Sequence, residues 1–181
     1  MKYKWSQDQY IKTYNYAAKA HNRQLLPGSN LPYIVHLSLV SMEILAALAE
    51  DFRKLDGELA IQCALLHDTI EDAGISYYEI RDIFGRKVAD GVNALSKRDM
   101  FATKKEKMID SLTRIKTQPI EVWMVKLADR ITNLLPPPDY WEEEKIETYK
   151  EESKLIYTEL KDANEFLAAR LFMKIEGYPT G

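Results

Sequence analysis

Residues 64–72 read ALLHDTIED, an apolar helical run that continues without interruption into His67, Asp68, Glu71 and Asp72. Upstream, ELAIQCALL at 58–66 has the alanine and leucine content of a buried helix, so one helix is expected from about Gly57 to Asp72, with Gly74 as its stop. On such a helix residues four apart share a face. His67 then lies over Glu71 and Asp68 over Asp72, a cluster of one imidazole and three carboxylates. Buried charge is costly unless it is paired or bound to metal. The cluster therefore calls for a cation or is the solvated end of a helix, and an HD dipeptide alone is compatible with both.

Working outward, helical periodicity covers the chain. Tyr10, Ile11, Tyr14, Ala17, Ala18 and His21 make an inward stripe on a first helix from about Ser6 to Asn22. Pro27 and Gly28 mark a loop. Pro32 suits the first turn of a second helix that runs to Glu50 and carries His36 near its start. Ser76 with Glu79, and Thr103 with Glu106, have capping-box spacing for helices ending at Gly85 and before Pro119; another helix fits about Arg86 to Ser96. Further helices are expected over about Pro119 to Leu134, Trp141 to Leu160 and Asp162 to Lys174, with Pro136, Pro137 and Pro138 breaking the chain. No segment alternates as a strand. The expectation is an all-α fold, a single domain over residues 1–181 with about eight or more helices.

Composition narrows the function classes. At 181 residues, 46% hydrophobic and 29% charged, the chain can bury one ordinary globular core. Its 25 basic and 28 acidic residues leave a net charge of −3, so no general field attracts a nucleic-acid polymer or an anionic membrane. An anionic ligand needs a local basic site. The single cysteine, Cys63, excludes intramolecular disulfides and cysteine-rich zinc fingers. With no signal-like leader and no run of about 18 apolar residues, a cytoplasmic protein without a membrane partner is expected.

Two further features bear on the 64–72 cluster. The three histidines, His21, His36 and His67, each fall on or near the apolar stripe of a separate helix. Asp129 interrupts VWMVKLADRITNLL, which would otherwise be thoroughly buried, and Asn133 follows on the same face. Pairing of Asp129 with Lys126 or Arg130 is the structural alternative to a ligand role.

The order His36, then His67-Asp68, then Asp129 resembles the metal-binding pattern of the HD-domain phosphohydrolase superfamily. PYIVH at 32–36, ALLHDTIED at 64–72, FGRKVADGV at 84–92 and KLADRITNL at 126–134 resemble, more narrowly, the hydrolase domain of RelA/SpoT-type proteins and the small alarmone hydrolases. With AAKAH at 17–21 and the helix carrying Tyr149, the likeness spans nearly the whole chain. It implies a helical HD domain that hydrolyses the 3′-pyrophosphate of an alarmone such as (p)ppGpp, with manganese as cofactor. His36, His67, Asp68 and Asp129 are the implied metal ligands, a mixed nitrogen and oxygen set suited to a borderline divalent ion. Four such ligands leave about two positions on an octahedral ion for water and a phosphate oxygen.

The same resemblance implies that Glu71 and Asp72 are the catalytic acidic pair, Glu71 preferred, with support of His67 or a basic neighbour as their alternative role. Asn133, Lys97 and Lys126 match positions near the substrate's ribose and phosphates, and Tyr149 a position packing on the nucleotide; a lone lysine or tyrosine is equally at home on a surface or in a core. His21 is expected to support the site without ligating. The pattern departs at the base: guanosine-alarmone hydrolases carry an Arg-Lys pair before the PY motif, where this chain has Leu25, Leu26 and Pro27. Arg23 is the available replacement, and an adenosine alarmone is an open alternative. A nucleotidase-like HD phosphohydrolase and a catalytically silent nucleotide-binding module are the other readings. The apolar stripes of the last two helices, Leu155, Ile156, Leu160, Phe166, Leu167 and Leu171, either close the core or form a homodimer seam.

Overall fold

In the computed structural model, which describes residues 5–138 and 140–179, the first helix, α1, spans Gln7–Ala20 and is capped by the Ser6 hydroxyl. Its inward side is Thr13, Ala17 and His21, with Tyr10 and Tyr14 half-buried. Ile11, expected inside, is 56% exposed; the helix packs on α3 and α4, and Ile11 lies off that face. A small hairpin bridged between Leu25 and Pro32 leads to α2, Ile34–Glu50, so Pro32 precedes that helix and Tyr33 is its cap residue.

The expected helix over residues 57–72 is two helices, α3 (Gly57–Leu66) and α4 (Thr69–Ala73), broken at His67 and Asp68. Side chains compete for the carbonyls at the break: His67 Nδ1 lies 2.8 Å from Ala64 O, and Thr69 Oγ1 donates to Leu66 O at 2.6 Å. Gly74 then ends α4 in a left-handed conformation, φ 69°. Next come α5 (Tyr77–Phe84), α6 (Arg86–Leu95) and α7 (Lys104–Ile115), the last with a complete Thr103–Glu106 capping box. In the Ser76 box only the hydroxyl acts, because Glu79 accepts from the Tyr16 hydroxyl instead. The remaining elements are α8 (Ile120–Asn133), α9 (Glu143–Leu160), a 3-10 turn at Lys161–Ala163 and α10 (Glu165–Glu176). No strand occurs among the described residues.

Helix α8 is the axis. It packs on α2, α3, α6, α9 and α10, which explains why Glu121 to Ile131 are buried apart from half-buried Trp123. Leu37 and Ile44 from α2, Ile61 and Leu65 from α3, and Met124, Leu127 and Ile131 from α8 form the centre of one continuous core. Burying a side chain of this size contributes about 1.5–3 kcal/mol. Of the stripe on the last two helices, Ile156, Leu160, Leu167 and Leu171 close that core, Leu155 is half-buried and Phe166 is exposed. No described helix is long and apolar enough to cross a membrane.

Candidate active site

The break after α3 has a local consequence. On a regular helix adjacent side chains diverge, so His67 and Asp68 could not serve one point. At the break they do: Asp68 Oδ2 lies 2.8 Å from His67 Nε2. The same oxygen lies 3.7 Å from Nε2 of His36, near the start of α2, and Asp129 Oδ1 from α8 lies 3.4 and 3.6 Å from the two imidazole nitrogens.

Hydrogen bonding sets the histidine tautomers. His67 Nδ1 faces a carbonyl and carries a proton, so in the neutral ring Nε2 is bare. Thr132 Oγ1 donates to Asp129 O and so accepts from His36 Nδ1, 3.4 Å away, leaving the second Nε2 bare as well. The two nitrogens are 3.3 Å apart. Facing lone pairs repel unless a cation or a proton lies between them. Ligands at right angles on an ion with bonds of about 2.1 Å stand about 3 Å apart, so the spacing and the donor set fit a divalent metal. The ligand atoms of His36, His67 and Asp129 all lie within 4.8 Å of one another, and all three residues are buried. Asp68 reaches both imidazoles but stands outside that mutual set.

A proton is the competing occupant. Burial disfavours imidazolium at His67, but Asp68 and Asp129 outweigh it and hold its pKa well above the ordinary value. Burial also opposes ionisation of Asp129, yet Lys126 and the imidazoles hold that carboxyl well below the usual range. Lys126 Nζ is 2.9 Å from Asp129 Oδ2, and Asn133 Nδ2 donates to Oδ1 at 2.5 Å. Lys126 thus pairs with Oδ2 while Oδ1, which also accepts from Asn133, faces the imidazoles, so pairing with Lys126 and a ligand role are compatible.

Beside this centre lies a cavity of about 700 Å³. Lys97, Lys104, Lys107, Lys126, Arg130 and Lys145 line it and outnumber the carboxylates Glu71, Asp99, Asp129 and Glu152. A chain with net negative charge therefore has a local basic pocket. Asn133 and Tyr149 are in its wall, and Tyr149 carries the Arg130 guanidinium 4.4 Å above its ring.

The acidic pair is divided. Glu71 faces the cavity and accepts from Lys97 twice, at 2.7 Å from the backbone N–H and 3.2 Å from Nζ. Asp72 turns the other way and accepts from Gln24 at 3.1 Å; burial and nearby Asp68 raise its pKa. The cluster of three carboxylates under His67 is not formed, because the broken helix sends each in its own direction. Arg23 is exposed after α1 and is not among the cavity's described lining residues. His21 stacks on Tyr33, 5.0 Å between ring centres, with Nδ1 2.7 Å from Gln24, and is not among the described ligand atoms.

Reading by sequence missed Tyr33, whose hydroxyl donates to Asp68 Oδ2 at 2.6 Å, although it stands in the quoted PYIVH. It also missed Trp141 and the cations Lys104, Lys107 and Lys145, which carry no periodic signal and meet only through the packing of α7 and α9.

Comparison with known proteins adds a family and several relatives. The HD domain family pattern matches residues 13–165. A GTP pyrophosphokinase of Myxococcus xanthus is 39% identical over 157 residues, 82% of this chain and 20% of that protein. The chain spans about a fifth of the length of the first curated relatives it matches. The zebrafish (Danio rerio) guanosine-3′,5′-bis(diphosphate) 3′-pyrophosphohydrolase MESH1 is 28% identical over 166 residues and is aligned over 89% of both chains. A solved structure described as a metazoan ortholog of SpoT that hydrolyzes ppGpp superposes with a TM-score of 0.81, covering 96% of this chain and 97% of that one; at 24% identity it is a likeness of fold.

Proposed function

The chain belongs to the HD domain family, and from that premise we propose that it is a metal-dependent pyrophosphohydrolase acting on the 3′-pyrophosphate of a nucleotide alarmone. The observation that carries the reading is the convergence of His36, His67 and Asp129 at the edge of a cavity rich in lysine. The names of the relatives point to (p)ppGpp as the first substrate to test. Residues 1–181 act as one domain in this reading.

His36, His67, Asp68 and Asp129 would hold the ion, with manganese the expected metal. When bound, a divalent ion polarises a phosphoryl oxygen and acidifies water. The chain's own residues do the rest. Lys97 and Lys126 neutralise phosphate charge at the end of the cavity nearest the ligands, and Asn133, already donating to Asp129, has its amide at the cavity wall. Glu71, oriented by both donors of Lys97, accepts the proton of the attacking water. The oxygen of that water bonds to phosphorus, the bond between phosphorus and the 3′ oxygen breaks, and a proton ends on that oxygen. With (p)ppGpp as substrate the products are pyrophosphate and GDP or GTP.

The base is what the assay must identify, since Leu25, 54% exposed, and its neighbours Leu26 and Pro27 stand where the family resemblance implies an Arg-Lys pair. A release assay with Mn2+ and an EDTA control, comparing guanosine and adenosine 3′-pyrophosphates with nucleoside 5′-phosphates, tests the proposal. Metal-dependent pyrophosphate from a 3′-pyrophosphate is expected. Orthophosphate from 5′-nucleotides alone would make the protein a nucleotidase, and silence with metal bound would make it a binding module.

A further inference from the structure

The metal ligands are held unequally. Asp129 is fixed by Lys126 and Asn133, His67 by Ala64 O and His36 by Thr132. Asp68 sits at the helix break, where its backbone lies between α3 and α4 and its side chain makes no such bond within its own element. A carboxylate there has two free torsions and loses them on binding an ion. One neutral donor reaches it: the Tyr33 hydroxyl, 2.6 Å from Oδ2, the same oxygen that faces both imidazoles.

Tyr33 is itself immobilised. Its ring is 8% exposed, stacks on His21 and lies 5.3 Å from the His36 ring centre. Its backbone N–H donates to Gln24 O at 3.0 Å, which closes the hairpin onto α2. The hydroxyl is therefore presented from a rigid ring at the cap of the helix that carries His36. A carboxylate oxygen has lone pairs for one hydrogen bond and one metal bond together, so the phenol can orient Asp68 without displacing an ion.

We propose that Tyr33 is a positioning residue of the metal centre, which aims Asp68 Oδ2 at the point shared by His36 and His67. The proposal rests on the metal-site reading given above, and it concerns metal affinity rather than turnover. Partners that orient metal ligands typically govern affinity by about 10- to 100-fold.

The test is titration of the metal-free full chain with Mn2+ by calorimetry, in wild type, Tyr33→Phe and Tyr10→Phe. Tyr33→Phe keeps the buried ring and removes only the hydroxyl. Tyr10→Phe removes a comparable phenol, whose oxygen lies 3.0 Å from Ser41 Oγ away from the centre, and controls for general loss of a hydrogen bond. The expected result is a Kd about tenfold or more weaker in Tyr33→Phe and unchanged in Tyr10→Phe, with both variants unfolding cooperatively. A Tyr33→Phe affinity within about twofold of wild type, or an equal loss in both variants, overturns the proposal. Wild type that binds no Mn2+ would instead sink the metal site itself. A protein that binds Mn2+ with the expected dependence on Tyr33 but releases no pyrophosphate would leave the inference standing and end the substrate reading.

Discussion

Glu71 and Asp129 have different proposed roles, and two substitutions separate them. Glu71 touches Lys97 and the cavity but makes no contact with the imidazoles, so Glu71→Gln is expected to bind Mn2+ as wild type does and to lose about 10²- to 10⁴-fold in kcat. Steady-state kinetics beside metal titration checks this, and a full rate would remove Glu71 from proton transfer. Asp129→Ala would strip the proposed centre of one ligand and leave Lys126 buried without its partner. Metal binding and turnover are both expected to vanish, with a further cost of about 3–5 kcal/mol in stability measured by denaturant unfolding. Turnover that survives would refute the ligand role. At this scale the sequence was informative where polarity contradicted environment: His36, His67 and Asp129 stand out because each interrupts an apolar face. Tyr33 did not stand out, since a tyrosine at a helix start contradicts nothing.

Elements hold these residues through close packing and caps. Helix α6 approaches α3 and α8 at Gly91, where an added Cβ would lie 2.8 Å from Cys63 Sγ and 3.0 Å from Val122 Cγ2. Gly91→Ala is expected to destabilise by about 1–3 kcal/mol, read from thermal or denaturant unfolding; an unchanged stability would show that the interface yields. At the far end of α2, Asp51 accepts from Arg53 and from Asn164, the cap of α10, tying three segments together. The Arg53 hydrogen bonds lower its pKa to about 2. A depressed pKa means stability that is complete above the ordinary carboxylate value and disappears as pH falls from about 4 towards about 2. Asp51→Asn should flatten the acid side of the stability profile over that window, and a profile identical to wild type would assign the acid loss elsewhere. The helices themselves were largely legible because caps, prolines and apolar periodicity agree. The break at His67 was not, since Ala64 to Asp72 has no glycine or proline and the carbonyl competition depends on side-chain geometry.

For the whole molecule, a metal bound at the proposed centre would be a folding ligand as well as a cofactor. An ion held by His36, His67 and Asp129 would join α2, the end of α3 and α8 at one point, and an ion at 100 times its Kd adds about 2.7 kcal/mol to stability. Differential scanning should show a higher Tm with Mn2+, reversed by EDTA. The effect depends on pH with a definite sign. Metal needs bare Nε2 atoms, and the raised pKa of His67 keeps a proton there to higher pH than an ordinary imidazole, so the Mn2+ shift should grow as pH rises above about 6.5. A shift independent of pH would mean that His67 is not displaced from its proton by the ion. What the sequence by itself determined is the helical class and most helix limits, which follow from local periodicity, and it singled out His36, His67, Asp68 and Asp129 as polar groups misplaced on apolar faces, which a family resemblance reads as a metal pattern. Only the tertiary structure decided that Glu71 and Asp72 point apart, that Arg23 stays outside, that Lys104, Lys107 and Lys145 join one basic cavity, and that Tyr33 reaches Asp68. Those are meetings between elements distant in the chain, and their geometry is set by helix packing, which no local pattern encodes.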